Sequence, residues 1–515
     1  MSIRVAAHPG RADKLLVLAA VCCAGLTMPL SFTAPSVALP AIGRNFGVSP
    51  AALGWVMNAF ILAFGSTVMA AGALADRYGR RRMFTIGMAA FTAISAMVGY
   101  APDLLSLELM RAAQGVAAAV TMAGGAASLA HEFDGDARTR AYGLLGTSFG
   151  VGLALGPVWA GFLIETFGWR SVFLTGVAIG LLVLAFGVPR MGESRDPDAT
   201  GIDPWGTATF TAMLVLFTFA IMEGPQRGWS SPAIVAALLA SAVMLGLFIL
   251  VETLQRRPML DLGLFAYPRF LGAQALPLAT GFGFVVPLVI LPARFVGVEG
   301  MGEIEVGLML LPLCLPIAVV PLAGAFLARW IPAATLAAVG LTLAAAGLAW
   351  LAMVPPGAPR LAFIAPLMLI GIGSGLPWGL MDALAVSVVP KERAGMATGI
   401  FTTVRVAGEA LALAATGAIL VAFTRLGLAA AGNGAQDEAT LTGLANELAG
   451  GAFAGAVGLA PDIGPAALTA VYGQAYRITL IVLALINLAT AIVALATLRP
   501  QRPAARDAGR PCPAA

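Results

Sequence analysis

Apolar residues run along this chain in blocks of about 20, divided by short polar or basic stretches, between residues 15 and 498. The blocks fall near 15–40, 52–74, 83–101, 104–130, 141–164, 170–189, 204–223, 232–252, 270–292, 304–328, 331–353, 360–389, 395–423 and 474–498. About 20 apolar residues, rising 1.5 Å each, make a helix that crosses the hydrocarbon core of a bilayer. No block alternates apolar and polar with period two, as barrel strands do. Lipid offers backbone N–H and C=O groups no partner, so each span has to satisfy its own as a helix. The pattern predicts an all-α integral membrane protein with fourteen transmembrane helices.

Composition agrees. Of 515 residues, 59% are hydrophobic and 11% charged, and the mean hydropathy is +0.90. A soluble domain carries roughly 25% charged residues, so this chain lacks the polar surface to live in water. A net charge of +4 would suit nucleic acid if the basic residues were gathered on one domain. They punctuate the apolar blocks instead, as basic loops facing the cytoplasm do, so no nucleic-acid partner is expected. With alternate loops assigned to alternate sides, 21 Lys and Arg residues share a side with both termini, against 7 opposite. That bias predicts cytoplasmic termini. Arg4, Arg11 and Lys14 imitate a signal peptide, but the apolar run from Leu15 to about Pro40 is too long for one, and an uncleaved first span is expected. Cys22, Cys23, Cys314 and Cys512 make neither a disulfide framework nor a zinc site, and no metal is expected.

The chain repeats itself. Arg140-Ala141-Tyr142-Gly143-Leu144-Leu145-Gly146-Thr147 opens the fifth block after a polar loop, and Met396-Ala397-Thr398-Gly399-Ile400-Phe401-Thr402-Thr403 opens the thirteenth after another. Two six-helix bundles with two extra helices between them fit this spacing, a plan recurrent in transporters. The expected division is a cytoplasmic tail at 1–14, a bundle at 15–190, a linker with two inserted helices at 191–269, a second bundle at 270–498 and a cytoplasmic tail at 499–515. Within the second bundle, 424–473 is Gly/Ala-rich and is expected to be a long periplasmic loop without assigned structure.

Five groups of residues carry candidate chemistry. The loop between the second and third blocks holds Gly72, Asp76, Arg77, Gly79, Arg80, Arg81 and Arg82. Gly72 would let the second helix approach a neighbour, and Asp76 would accept hydrogen bonds from a helix N-terminus or from an Arg of the other half, latching one conformation. A positive-inside anchor accounts for the arginines alone. In the fifth block Gly143, Gly152, Gly156, Pro157 and Gly161 form a smooth, kinked face. Arg111 lies inside the fourth block, with Glu108 one turn earlier as a candidate neutralising partner. Asp382, with no basic residue within a helical turn, and the i, i+4 pair Arg405 and Glu409 are further proton-coupling candidates, an internal ion pair being the default for the latter two. Ser31, Trp55, Asn58, Phe60 and Trp378 are substrate-cavity candidates, although most aromatic residues in membranes serve packing or interface anchoring.

The Gly72–Arg82 loop resembles the signature loop of the major facilitator superfamily, and the glycine–proline face resembles the antiporter signature of its proton-coupled exporters, with Ala160 in place of one glycine. Together with Val37-Ala38-Leu39-Pro40 and Gly201-Ile202-Asp203-Pro204-Trp205-Gly206, they are similar to the fourteen-helix drug:proton antiporter branch. Ser31 stands where that branch usually carries an Asp, which bears on proton stoichiometry and on any preference for cationic drugs. The resemblance implies a monomeric secondary transporter of the bacterial inner membrane that exports hydrophobic or amphiphilic organic compounds in exchange for protons, with Arg111 taking part in proton transfer.

No cofactor is expected beyond the proton gradient. Lys14 and Lys391, the only lysines, lie outside any GxxxxGK[ST] context. Export or import of one endogenous metabolite is the alternative within transport. A membrane enzyme would need clustered acidic or His residues at one interface, and His8 and His131 stand alone. A transporter-shaped sensor would need a sizeable soluble domain, and the tail from Arg499 is short.

Overall fold

The computed structural model describes residues 11–48, 53–133, 135–195, 203–255, 263, 266–387, 394–431, 438–459 and 463–498. Helices follow every apolar block in order. The first bundle comprises α1 (Arg11–Phe46), α2 (Gly54–Tyr78), α3 (Arg80–Val98), α4 (Leu104–Glu132), α5 (Gly135–Phe167) and α6 (Ser171–Leu182), the last continuing through a π turn at Val183–Gly187. The insert is α7 (Pro204–Arg227) and α8 (Pro232–Leu254). The ninth block is one rod, α9 (Pro268–Thr280) and α10 (Val286–Gly297), joined by a π turn at Gly281–Val285. Then come α11 (Glu303–Leu327), α12 (Ala333–Ala352), α13 (Leu361–Trp378), α14 (Met381–Ser387), α15 (Ala394–Ala431), α16 (Glu438–Ala449), α17 (Phe453–Leu459) and α18 (Pro465–Thr497).

Among the described residues, 12 helices are long and apolar enough to cross a membrane, or 13 with the bent halves of α5 taken as one span. The expected fourteenth, α3, falls outside that set because its first turn is Arg80-Arg81-Arg82. The ends of the helices are set by local chemistry. Asp103 caps α4 by accepting from Ser106 N at 2.7 Å, and Asp203 caps α7 by accepting from Gly206 N at 2.8 Å. The proline-rich helices are α1, with Pro29, Pro35 and Pro40, and α11, with Pro312, Pro316 and Pro321. Each proline removes one backbone donor and bends its helix.

Small residues decide which helices meet. Gly87 has Thr121 N of α4 where a Cβ would stand, at 2.6 Å, and Gly347 has Ile370 N of α13 at 2.8 Å. Lipid tails are as apolar as the helices, so close backbone packing rather than apolar burial draws such pairs together. In the first bundle α2 lies on α4, α3 on α4 and α1 on α5; in the second, α12 lies on α13 and α18, and α11 on α13. The bundles meet along two seams, α5 with α11 and α2 with α15. The insert is peripheral. Only 22% of the apolar stretch of α8 is buried inside the protein, against 72% for the α9–α10 rod, while α7 rests on both α2 and α15.

The stretch after Arg425 gains structure that the sequence left unassigned. The structure carries α15 on to Ala431 and forms α16 and α17 within the segment expected as a long periplasmic loop. Leu428, Leu444, Leu448, Ala456 and Leu468 make a small core of their own there. These apolar positions are sparse among Gly and Ala, which hides a helical face from a hydropathy reading.

Candidate functional site

The basic loop folds onto itself. Asp76 Oδ1 accepts from Arg80 Nε at 3.1 Å and from Arg80 Nη2 at 2.9 Å. Among the described residues its partner is thus four residues away, not a helix end or an Arg of the other half. Gly79 sits at φ 110°, a conformation that favours glycine, and Glu193 Oε1 lies 2.5 Å from where a Cβ would stand. Arg80 N donates to Ser194 O at 2.8 Å, so the segment leaving the first bundle is tied to the loop. Arg77 stacks on the neighbouring Tyr78 ring at 5.4 Å, while Arg81 O accepts from Thr85 at 2.8 Å. Gly72 corrects the close-packing expectation: a Cβ there meets nothing within 4 Å.

The glycine face of α5 serves two neighbours. Gly152 has Pro29 Cγ at 2.5 Å and Leu26 O at 2.8 Å from a Cβ position, and Gly156 is pressed on Thr33, so both face α1. Gly150 faces α11, with Ile317 O at 2.5 Å. Pro157 O lies 3.3 Å from the Cβ position of Gly307 on α11. Gly143 makes only ordinary contact with Leu322, and Gly161 is buried. Sequence reasoning missed Gly150, although Gly146 and Gly150 share the i, i+4 spacing that marked the others.

Arg111 is fully buried and forms the hub of the first bundle. Its Nε donates to Val56 O of α2 at 2.9 Å, Nη2 to Ser31 O of α1 at 2.6 Å and Nη1 to Gln114 Oε1 at 2.5 Å. Gln114 Nε2 passes the connection to Ser95 of α3 at 2.7 Å. The guanidinium stacks on Phe60 at 4.4 Å and on Phe173 of α6 at 5.7 Å. Gly115 permits this, since the carbonyl oxygen of Phe60 occupies the place of a Cβ. Glu108 is not its partner; among the described residues no carboxylate pairs with Arg111. Ser31 contributes its carbonyl here and lines a small pocket between α1, α5 and α6 that reaches Gln114 and Phe173. Phe60 is 4% exposed, so it belongs to the arginine's packing rather than to a cavity wall.

Asp382 corrects a further expectation. It is not alone: Arg405 Nη1 of α15 lies 3.8 Å from its Oδ2. The i, i+4 spacing of Arg405 and Glu409 yields no ion pair among the described residues. Glu409 instead lies along Gly281 in the π turn of the α9–α10 rod. Trp378, at the end of α13, meets Phe284 edge-on at 5.5 Å. Trp55 finds a partner that sequence reasoning missed, since its Nε1 donates to Glu223 of the inserted α7, while Asn58 lies one turn on from Gly54. A carboxylate in the last turns of an inserted helix was visible in the sequence, but nothing there showed which bundle it would face.

Chemically, the arrangement offers two bundles that meet along two seams, one of them through the kinked α5, with a desolvated guanidinium and a carboxylate–guanidinium pair between α14 and α15. It holds the parts of a machine that binds a small solute and changes the packing of its halves. Comparison with known proteins agrees. The chain is 34% identical over 391 residues to the Multidrug resistance protein Stp of Mycobacterium tuberculosis (strain CDC 1551 / Oshkosh), covering 75% of this chain and 72% of that one. It is 32% identical to the Cephamycin export protein CmcT of Amycolatopsis lactamdurans (80% and 87% covered) and 30% identical to the Multidrug efflux pump LfrA of Mycolicibacterium smegmatis (84% and 86% covered). Among solved structures, a bacterial homolog of the human lysosomal transporter Spinster, inward-facing and unoccupied, shares the fold with a TM-score of 0.61 at 17% identity over 95% of this chain and 97% of that one. The Major Facilitator Superfamily profile matches residues 21–413, and the chain belongs to that family of multi-span membrane transporters.

Proposed function

We propose that this protein is a proton-coupled exporter of hydrophobic or amphiphilic organic compounds, set in the bacterial inner membrane with both termini in the cytoplasm. The observation that carries the reading is the α5 helix, which packs through Gly152 and Gly156 on α1 of its own bundle and through Gly150 on α11 of the other. A helix held by backbone-close contacts on two sides moves as a rigid lever when the bundles rock, because packed interfaces switch between discrete arrangements. The cargo drives that change by binding the two arrangements differently. The multidrug and antibiotic-export names of the relatives support outward transport of organic compounds.

In this reading Asp382 is the proton carrier. With its proton off, the carboxylate holds Arg405 of α15; with its proton on, the pair loses its charge attraction and α14 and α15 are released from each other. Inverted membrane vesicles carrying a pH gradient check this. A transported amphiphile is expected to release protons from the acidified interior, and a panel of amphiphiles without any proton movement removes the antiport claim. Asp382→Asn is expected to bind substrate and to flatten the pH dependence of transport. An unchanged pH profile clears Asp382 of coupling.

A second reading draws on two relatives in particular, the cephamycin exporter and the Probable actinorhodin transporter of Streptomyces coelicolor, the latter 29% identical over 440 residues. Their names each give one particular compound as cargo, which favours transport of a specific metabolite. A susceptibility panel in cells with and without the protein, set beside analysis of the medium for secreted compounds, separates the two.

A further inference from the structure

The inserted helix α7 presents Phe219, Glu223 and Arg227 at i, i+4 and i+8, one face of the helix, and that face meets Trp55 of α2. The rings of Trp55 and Phe219 are 5.9 Å apart and inclined by 33°. Glu223 accepts from Trp55 Nε1 through one carboxylate oxygen and from Arg227 Nε at 2.5 Å through the other. The Arg227 guanidinium also lies 5.9 Å from the Phe219 ring centroid. A flat organic cation is therefore already seated against an aromatic face and a carboxylate, and it is a side chain of the protein.

The two partners are unequally committed. The Glu223 side chain is 8% exposed and that of Arg227 is 53% exposed. A buried carboxylate needs a positive partner, because losing water without compensation is costly. The arginine, on a long stem in the last turn of its helix, gives up little by swinging into water, since half-exposed pairs are weak. The place is at the end of α2 away from the Asp76 loop, beside the α2–α15 seam that α7 covers.

We propose that Glu223, Trp55 and Phe219 form a binding site for lipophilic organic cations, lying where the inserted helix α7 meets α2 of the first bundle, and that Arg227 is its resident occupant until a ligand displaces it. The inference rests on the exporter reading and names a ligand class for it.

The probe is radiolabelled tetraphenylphosphonium, and the measurement is its equilibrium binding to the purified full chain in detergent. Glu223→Gln is expected to weaken binding about tenfold, because the desolvated carboxylate supplies most of the attraction. Arg227→Ala is expected to tighten it about threefold, because an internal competitor leaves. Trp55→Leu, which leaves α7 unchanged, is expected to weaken it about fivefold through loss of a cation–π face. Binding that is unaltered in Glu223→Gln and Trp55→Leu overturns the site, and weaker binding by Arg227→Ala overturns the role of Arg227. A wild-type protein that pumps a neutral amphiphile but binds no tetraphenylphosphonium also sinks the site, leaving the exporter reading standing. A wild-type protein that pumps none of a broad panel sinks that reading itself, and the ligand assignment with it.

Discussion

Each bundle buries an arginine, and the two solve the same electrostatic problem differently. Arg294, at the end of α10, is 3% exposed and pairs with Glu299 Oε1 at 3.3 Å, donates to Val354 O at 2.9 Å and stacks on Phe363 and Tyr476 at 5.0 and 4.9 Å. Glu299 in turn accepts from Gly357 N at 2.9 Å, so the pair staples the end of α10 to the turn after α12. Arg111 has carbonyls, an amide and two rings, but no carboxylate partner among the described residues. A cation buried with its counter-charge is a fastener whose field is cancelled nearby. A cation held only by dipoles and π faces keeps its field, which acts on whatever charge enters the space beside it. On the proposed exporter reading, the first arrangement belongs to architecture and the second to function.

Substitutions test that division. The largest effect is expected from Glu299→Gln, which leaves Arg294 buried without its partner and costs about 3–5 kcal/mol of stability. Thermal unfolding of the purified protein measures it, and an unchanged midpoint would mean that the carbonyls and rings alone suffice for Arg294. Next comes a matched pair. Arg111→Lys keeps a charge but loses the planar fork that reaches three acceptors, so efflux is expected to fall about tenfold or more with the unfolding midpoint nearly kept. Arg294→Lys is expected to do the reverse, lowering the midpoint while sparing efflux in cells. Equal outcomes at the two sites would erase the contrast between the arginines.

The α5 glycines extend the contrast to packing. Gly156→Val forces a branched side chain onto Thr33 and is expected to cost about 1–3 kcal/mol and slow transport. Gly72→Ala, facing open space here, is expected to change stability by less than about 0.5 kcal/mol. A transport defect in Gly72→Ala without a stability defect would show that α2 meets a neighbour in another arrangement of the bundles, and kinetic assays in vesicles report that directly.

Much of the site is legible in the order of residues. Arg111 stands out because a charge inside an apolar block demands an explanation, and Gly152, Gly156 and Pro157 because their spacing puts them on one helix face. Partners are harder. The sequence suggests that Asp76 reaches across the molecule, yet it bonds Arg80; it suggests that Asp382 is solitary, yet Arg405 meets it from another helix. Glu108 at i, i+3 looks like the natural neighbour of Arg111 and is not, because the guanidinium extends into the bundle toward α1 and α2. Spacing rules within one helix describe its surface neighbours. They carry no information on which way a long side chain turns when a second helix offers it a carbonyl.

From the chain's linear pattern alone came the membrane class, the helical spans, the paired bundles with their insert and the family likeness, since each depends on local composition or on short motifs. Lipid makes those features legible by forcing every span to satisfy its own backbone. Tertiary structure alone decided that Glu223 of the insert would meet Trp55, that Gly150 would face α11, and that Arg294 would meet a carboxylate while Arg111 meets carbonyls, an amide and two rings. These pairings join residues far apart in the chain, and they are settled by which backbones small residues allow to approach. That choice is made between helices, where a linear pattern has no voice.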